Sequence, residues 1–174
     1  MDGPVRRLLG FVPALAERVD LAVIGGLTRS VWGTTRATQD VDILVAETDL
    51  DVLDALGEEL GLYVDHEEAR NLRRSGMTRL RLPDFPTGAI RMDVITADHP
   101  YYRRVIQRAV TAELPESGIT VPVLTAEDLI VLKALADRPR DRADVVDVLE
   151  VQGDNLDRGL VERECRAIGI EPPW

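Results

Sequence analysis

The 174-residue sequence has one cysteine, one lysine and two histidines. Cys165 has no partner for an internal disulfide, so nothing asks for an oxidising compartment, and a reducing cytoplasm is the expected location. His66 and His99 are far apart in sequence and neither has a cysteine or a second histidine at ligand spacing, which argues against zinc. His66, in "DHEEAR", reads as a solvated loop residue and His99, before Pro100, as a helix cap. The chain lacks a run of 18 apolar residues, so no membrane-spanning helix, and no membrane partner, is expected. The N-terminal stretch "MDGPVRRLLGFVPALAERVD" has only a short apolar run, broken by Pro13 and Glu17. It reads as an amphipathic helix rather than a signal peptide. The chain also lacks the phosphate loops G-x-x-x-x-G-K-[ST] and G-x-G-x-x-G, and no Ser-His-Asp arrangement is evident.

What is present is ordinary in bulk and uneven in charge. Hydrophobic residues make up 45% of the chain, enough at this length for one domain with a real core. The net charge of −10 is the wrong sign for a protein that grips duplex phosphates. One segment runs the other way: "ARNLRRSGMTRLRL" holds Arg70, Arg73, Arg74, Arg79 and Arg81 without an acid, so a local polyanion site stays open. Twenty of the 21 basic residues are arginine, a skew that suits a GC-rich coding background. Any one arginine is therefore weak information, whereas Lys133 stands out.

Periodicity and punctuation set the element order. A helix is expected over 5–18, bent near Pro13. Leu21 to Ile24 is a short apolar strand ended by Gly25-Gly26, with a helix to Trp32. Val41 to Ala46 alternates as a strand, and Thr48 or Asp49 caps the helix that follows. A weak strand at Leu62 to Asp65 leads into the arginine-rich segment, read as a loop. Met77 to Leu82 and Ala89 to Thr96 form a hairpin around "PDFPTG". A helix follows near Tyr101 to Val110, then a strand over Ile119 to Leu124. "TAED" is a capping box with Thr125 as N-cap. Further helices start at Pro139 and after Asp154 or Asn155. The sum is an α/β (α+β) chain: a mixed sheet with helices packed on one side, plus a C-terminal helical section. The expected division is 1–124 for the sheet-bearing part and 125–174 for helices packed on it.

Carboxylates are the candidate chemistry. With 18 aspartates, about two D-x-D triplets are expected by composition alone, and two occur. Asp49 and Asp51 open a helix, where acids suit the dipole. Asp40 and Asp42 instead precede "ILVA" on a strand, where residues two apart share a face. They make either a hard-oxygen site suited to Mg²⁺ or a solvated acidic sheet face. Asp93, mid-strand in "AIRMDVITA", faces away from Met92 and Val94, together with Arg91 and Ile95. If its strand neighbours the first, three carboxylates share one face, a set able to hold two divalent ions. Gly25-Gly26, between strand and helix, aims backbone N–H groups at whatever sits above the strand, as a phosphate requires. Arg29 and Arg36 lie beside that turn and are better phosphate candidates than the Arg79 and Arg81 pair, which could equally be a solvated strand face.

Taken together, "GGLTRSVWGTTRATQDVDILV", "RMDVI" and "VLTAEDLIVLKALADRPRDRADVVDVL" resemble the nucleotidyltransferase superfamily of polymerase-β-like fold. The closest likeness is to the minimal bacterial group that includes AbiEii-type toxins of toxin–antitoxin systems. The likeness covers roughly 20 to 150 and rests on Gly25, Gly26, Gly33, Arg36, Thr38, Asp40, Asp42, Asp93, Lys133, Arg140, Asp141 and Asp144 in that order. One departure stands out: many catalytic members carry serine where Gly26 sits.

The resemblance implies that Asp40, Asp42 and Asp93 bind two Mg²⁺ ions and that Asp93 serves as base for an acceptor hydroxyl. Lys133 would stabilise the triphosphate charge, and Asp141 and Asp144 would orient Lys133 or cap a helix. Gly25, Gly26, Arg29, Arg36, Thr38, Arg140, Asp141 and Asp144 complete the implied nucleotide site. The implied substrate is an NTP, the implied acceptor an RNA such as tRNA, and the implied protein partner an antitoxin. Two alternatives stay open: transfer to a small hydroxylated molecule such as an antibiotic, and a nucleotide-binding or partner-binding domain without turnover.

Overall fold

A computed structural model describes residues 3–35 and 37–174. Arg36, one of the expected phosphate ligands, lies outside the described residues. The chain begins with helices α1 (Pro4–Leu9) and α2 (Val12–Ala16), separated at Gly10-Phe11. It continues through β1 (Leu21–Ile24), α3 (Gly25–Trp32), β2 (Asp40–Val45), α4 (Leu50–Glu59) and β3 (Tyr63–Val64). Then come α5 (His66–Leu72), β4 (Met77–Arg81), β5 (Arg91–Thr96), α6 (Pro100–Arg108), β6 (Val110–Leu114) and β7 (Ile119–Val123). Helices α7 (Ala126–Ala136), α8 (Pro139–Gln152) and α9 (Arg158–Ala167) end it.

The strands form one seven-stranded mixed sheet in the order β3-β4-β5-β2-β1-β7-β6. β2 runs antiparallel to β1 and parallel to β5, and β4 and β5 pair as the expected antiparallel hairpin. Alternation along the strands sorts their side chains onto two faces. Val23, Val41, Ile43, Val45, Met92 and Val94 meet α1, α2, α4 and α5 on one face. Ala22 and Leu44 point the other way, into a second core with α6 to α9. The expected C-terminal helical section, together with α6, thus covers the opposite sheet face, and helices lie on both sides of the sheet rather than on one. Asp128, expected only as a helix-capping residue, is fully buried within it. It receives Nε and Nη2 of Arg108 at 2.9 and 2.6 Å, and Arg108 also donates to Glu164 at 2.9 Å, tying α6 to α7 and α9.

Three local expectations change. The arginine-rich segment opens with α5, because the Asp65 side chain accepts the N–H groups of Glu67 and Glu68 at 3.0 and 3.1 Å. His66 is thus the first residue of a helix, and it stays exposed. β6 carries no signal in the sequence because Val110, Thr111 and Glu113 are exposed and break the apolar alternation; its pairing with β7 defines it. The last helix is capped by Asp157, whose side chain accepts the Leu160 N–H at 2.9 Å, while Asp154 and Asn155 lie in a short 3₁₀ turn.

Candidate active site

One row of the sheet carries the site. Ile24 pairs with Asp42, Asp42 with Asp93, and Asp93 with Arg79, across β1, β2, β5 and β4. Neighbouring strands lie about 4.8 Å apart, so these side chains are packed shoulder to shoulder. Asp40 pairs with Arg91 two steps along β2 from Asp42. The row sits at the C-terminal end of β1, where the chain passes directly into α3. Gly25 makes that passage with φ at +69°, the left-handed region that favours glycine. Thr28 fixes the start of α3 by donating its hydroxyl to the Val23 carbonyl at 2.6 Å.

A cleft of about 510 Å³ opens over this row. Gly25, Gly26, Thr38, Asp40, Asp42 and Asp93 line its sheet side. Lys133, Arg138, Arg140 and Asp141 line the helical side. Two of the residues expected at the site do not line the cleft. Asp144 stands behind Lys133, 2.8 Å from its ammonium. Arg29 is buried and spent on α8, with Nη2 3.0 Å from Asp147 and Nε 3.5 Å from Asp144. It also donates to the Thr34 carbonyl and hydroxyl.

The carboxylates are not equivalent. Thr38 donates its hydroxyl to Asp40 at 2.7 Å, and Arg91 lies 3.5 Å from the same carboxylate. Asp93 is held by Arg79 through Nε and Nη2 at 2.6 and 3.0 Å and by Arg91 at 3.2 Å. Asp42 is the least compensated. Burial, then the charges of Asp40 and Asp93, push its pKa up to about 6, against the smaller opposing pull of Arg91 and Lys133. Among the described residues no three His, Cys, Asp or Glu side chains converge tightly enough to hold an ion. The backbone places Asp93 beside Asp42, but its carboxylate is turned into the arginines. The fit to a divalent cation therefore rests on Asp40 and Asp42: hard oxygen donors on one face, with negative charge at Asp42 that the protein leaves incompletely neutralised.

Lys133 is positioned from behind. Its ammonium donates to Asp141 at 2.7 Å and to Asp144 at 2.8 Å, both carboxylates being essentially buried. Burial works against the charge on Asp141, yet hydrogen bonds from Arg138 and Lys133 outweigh it and hold its pKa below the usual carboxylate value. The arginine-rich segment is largely spent as well. Arg73 pairs with Asp51 and Asp54, Arg79 with Asp93 and Glu68, and Arg81 with Glu68. Sequence reasoning assigns no role to Arg91, Arg138 or Tyr102, which also line the cleft. The shared face of Arg91 and Asp93 is a usable signal for the first, but Arg138 is the N-cap of α8, where a step of two to Arg140 marks no shared face. Tyr102 has no signal either.

Family comparison matches residues 7–171 to the nucleotidyl transferase AbiEii toxin of type IV toxin–antitoxin systems. The chain belongs to this family. It is a nucleotidyltransferase, as the motif series implied. No curated protein matches it at a significant level. The solution structure of the antibiotic-resistance factor ANT(2'')-Ia is similar, with a TM-score of 0.58 at 18% identity over 94% of this chain and 90% of that one. The crystal structure of ANT(2'')-Ia in complex with adenylyl-2''-tobramycin has a TM-score of 0.57 at 18% identity, covering 94% of this chain and 98% of that one. At such identity the likeness establishes the nucleotidyltransferase fold. Among the described residues no helix is long and apolar enough to cross a membrane.

Proposed function

We propose that this AbiEii-family chain transfers a nucleoside monophosphate from an NTP to a hydroxyl group, with Asp40 and Asp42 as its central carboxylates. The observation that carries this is Asp42. It is a half-buried carboxylate with its pKa raised to about 6, facing the Gly25 backbone, in a cleft whose other wall presents Lys133, Arg138 and Arg140. Asp40 and Asp42 are the residues that would hold Mg²⁺, and Asp93 would join them only on leaving Arg79. Bound there, a divalent cation supplies neutralisation of phosphate charge.

The protein's own part follows from charge and position. The start of α3 at Gly25-Gly26 and the three cations opposite accommodate the triphosphate. An acceptor hydroxyl oxygen bonds to the α-phosphorus while the bond to the β-phosphate bridging oxygen breaks, and pyrophosphate leaves. The hydroxyl proton passes to Asp93 once that carboxylate has left Arg79. On this reading residues 1–124 carry the carboxylates and 125–174 contribute Lys133 and Arg140.

The family description as a toxin favours an RNA acceptor such as a tRNA end, with an antitoxin in the same system. A second reading, transfer to a small molecule such as an antibiotic, has a specific support. Three of the five arginines that suggested RNA binding are paired with Asp51, Asp54, Glu68 and Asp93, and the net charge is −10. Incubation with Mg²⁺, each α-labelled NTP, total tRNA and a panel of aminoglycosides and lincosamides separates the two. Label is expected on RNA; label on a drug assigns the second reading. NTP binding without transfer to any acceptor defeats both and leaves a binding domain. Asp40→Ala and Asp42→Ala are each expected to abolish transfer.

A further inference from the structure

Below the carboxylates the same cleft changes character. Two residues along β2 from Asp42 is Leu44, and two along β5 from Asp93 is Ile95, about 7 Å further down the same face. Both border the cleft: Leu44 lies buried behind its surface with Leu129 from α7, and the partly exposed side chains that form the wall are Ile95, Ile24 from β1, Tyr102 from α6 and Leu132 from α7. Apart from the Tyr102 phenol, every side chain in this wall is aliphatic. The Tyr102 ring is held by its aromatic neighbours, edge-on to His99 at 6.0 Å between centroids and tilted against Tyr101 at 5.9 Å.

We infer that this wall is the nucleobase subsite, with Tyr102 as its stacking and specificity-determining residue. The inference rests on the NTP reading above. An NTP has one flat, weakly solvated part, its base; the ribose and phosphates are polar and belong with the carboxylates and cations at the upper end. A continuous cleft with a charged end and an apolar end, of a size suited to a small ligand, matches that division. A polyhydroxylated or cationic acceptor would leave its polar groups unpaired against the aliphatic wall. Aliphatic side chains do not read the hydrogen-bonding edge of a base. Selection here is therefore by stacking area, with purines over pyrimidines and little difference between ATP and GTP.

The test is equilibrium binding in Mg²⁺ without acceptor, using non-hydrolysable analogues of ATP, GTP, CTP and UTP and inorganic tripolyphosphate. Wild type is expected to bind the two purine analogues alike and more tightly than the pyrimidine ones. Tyr102→Ala is expected to weaken the purine analogues about ten-fold, leave tripolyphosphate unchanged and erase the purine preference. Tyr102→Phe should restore it, and Tyr102→Leu, which keeps the apolar bulk, should not. If Tyr102→Ala weakens tripolyphosphate equally, or changes no analogue, the subsite is misassigned. It is misassigned too if the variant raises only the KM of the acceptor. If wild type binds neither the analogues nor tripolyphosphate, it is the NTP reading itself that fails.

Discussion

Gly25 and Asp42 occupy a space that has room for one side chain. A Cβ on Gly25 would lie 2.4 Å from the Asp42 carboxylate oxygen, and Gly25 holds φ at +69°. Gly26 is different: a Cβ there meets the Thr38 hydroxyl at 3.4 Å, an ordinary contact. The first glycine is thus demanded by the carboxylate, whereas the second is only permitted.

That asymmetry separates two substitutions. Gly25→Ala should displace Asp42 and strain the backbone, costing about 1–3 kcal/mol and at least ten-fold in transfer rate. Gly26→Ser should fold like wild type and lower the KM for NTP by adding a hydroxyl donor at the start of α3. Chemical denaturation and steady-state kinetics of the two variants check both. Equal damage from the two would show that the space around Asp42 is not what the glycine serves.

Asp42→Asn should trade activity for stability. Because the folded-state pKa of Asp42 is raised to about 6, its ionised form destabilises the metal-free protein at neutral pH. Removing the charge should stabilise by about 1–3 kcal/mol while abolishing transfer. Thermal melting without divalent cations reads the first effect and label transfer the second. A lower melting temperature for the variant would contradict the repulsion argument.

The same shift has a sign in pH. A carboxyl whose pKa is raised in the folded state binds its proton more tightly there, so its contribution to stability declines as pH rises from about 4 through about 6. Cation binding, which needs the ionised form, should strengthen about ten-fold per pH unit up to about 6 and level off above it. Mg²⁺ titrations between pH 5 and 8 test this, with Asp42→Asn as the variant in which the inflection disappears.

Lys133 holds two carboxylates that are out of water. Lys133→Met should destabilise the fold by about 1–3 kcal/mol, because Asp141 and Asp144 lose the cation they share and keep only Arg138 and Arg29. The combined change with Asp144→Asn should recover part of the stability and none of the transfer. Urea unfolding of the single and double variants, read beside their kinetics, distinguishes a cation that acts on substrate from one that only neutralises α8.

Much of this is legible along the chain. The D-x-D strand, the Gly-Gly break, the hairpin and the Thr125 cap are local patterns, and each appears where turn chemistry and alternation place it. Asp93 is legible too, since an aspartate between Met92 and Val94 has only one face left. α5 and β6 are not, because a capping aspartate and a sheet edge decide them against weak periodicity. Arg29 shows the limit clearly. Its position beside the glycine turn suggests a phosphate ligand, yet Asp144 and Asp147, more than a hundred residues later, take its guanidinium.

What the sequence determined by itself is which groups are present and which face of each element they occupy, because backbone periodicity is local. Only the tertiary structure decided how charge is shared. It set Asp93 between two arginines, left Asp42 short of a counter-charge and turned Lys133 onto α8. Long-range strand register and helix packing choose which carboxylate meets which cation, and burial then fixes what that meeting does to the pKa. A side chain at Gly26 has room beside Thr38, whereas the space that the Asp42 carboxylate requires is kept by Gly25.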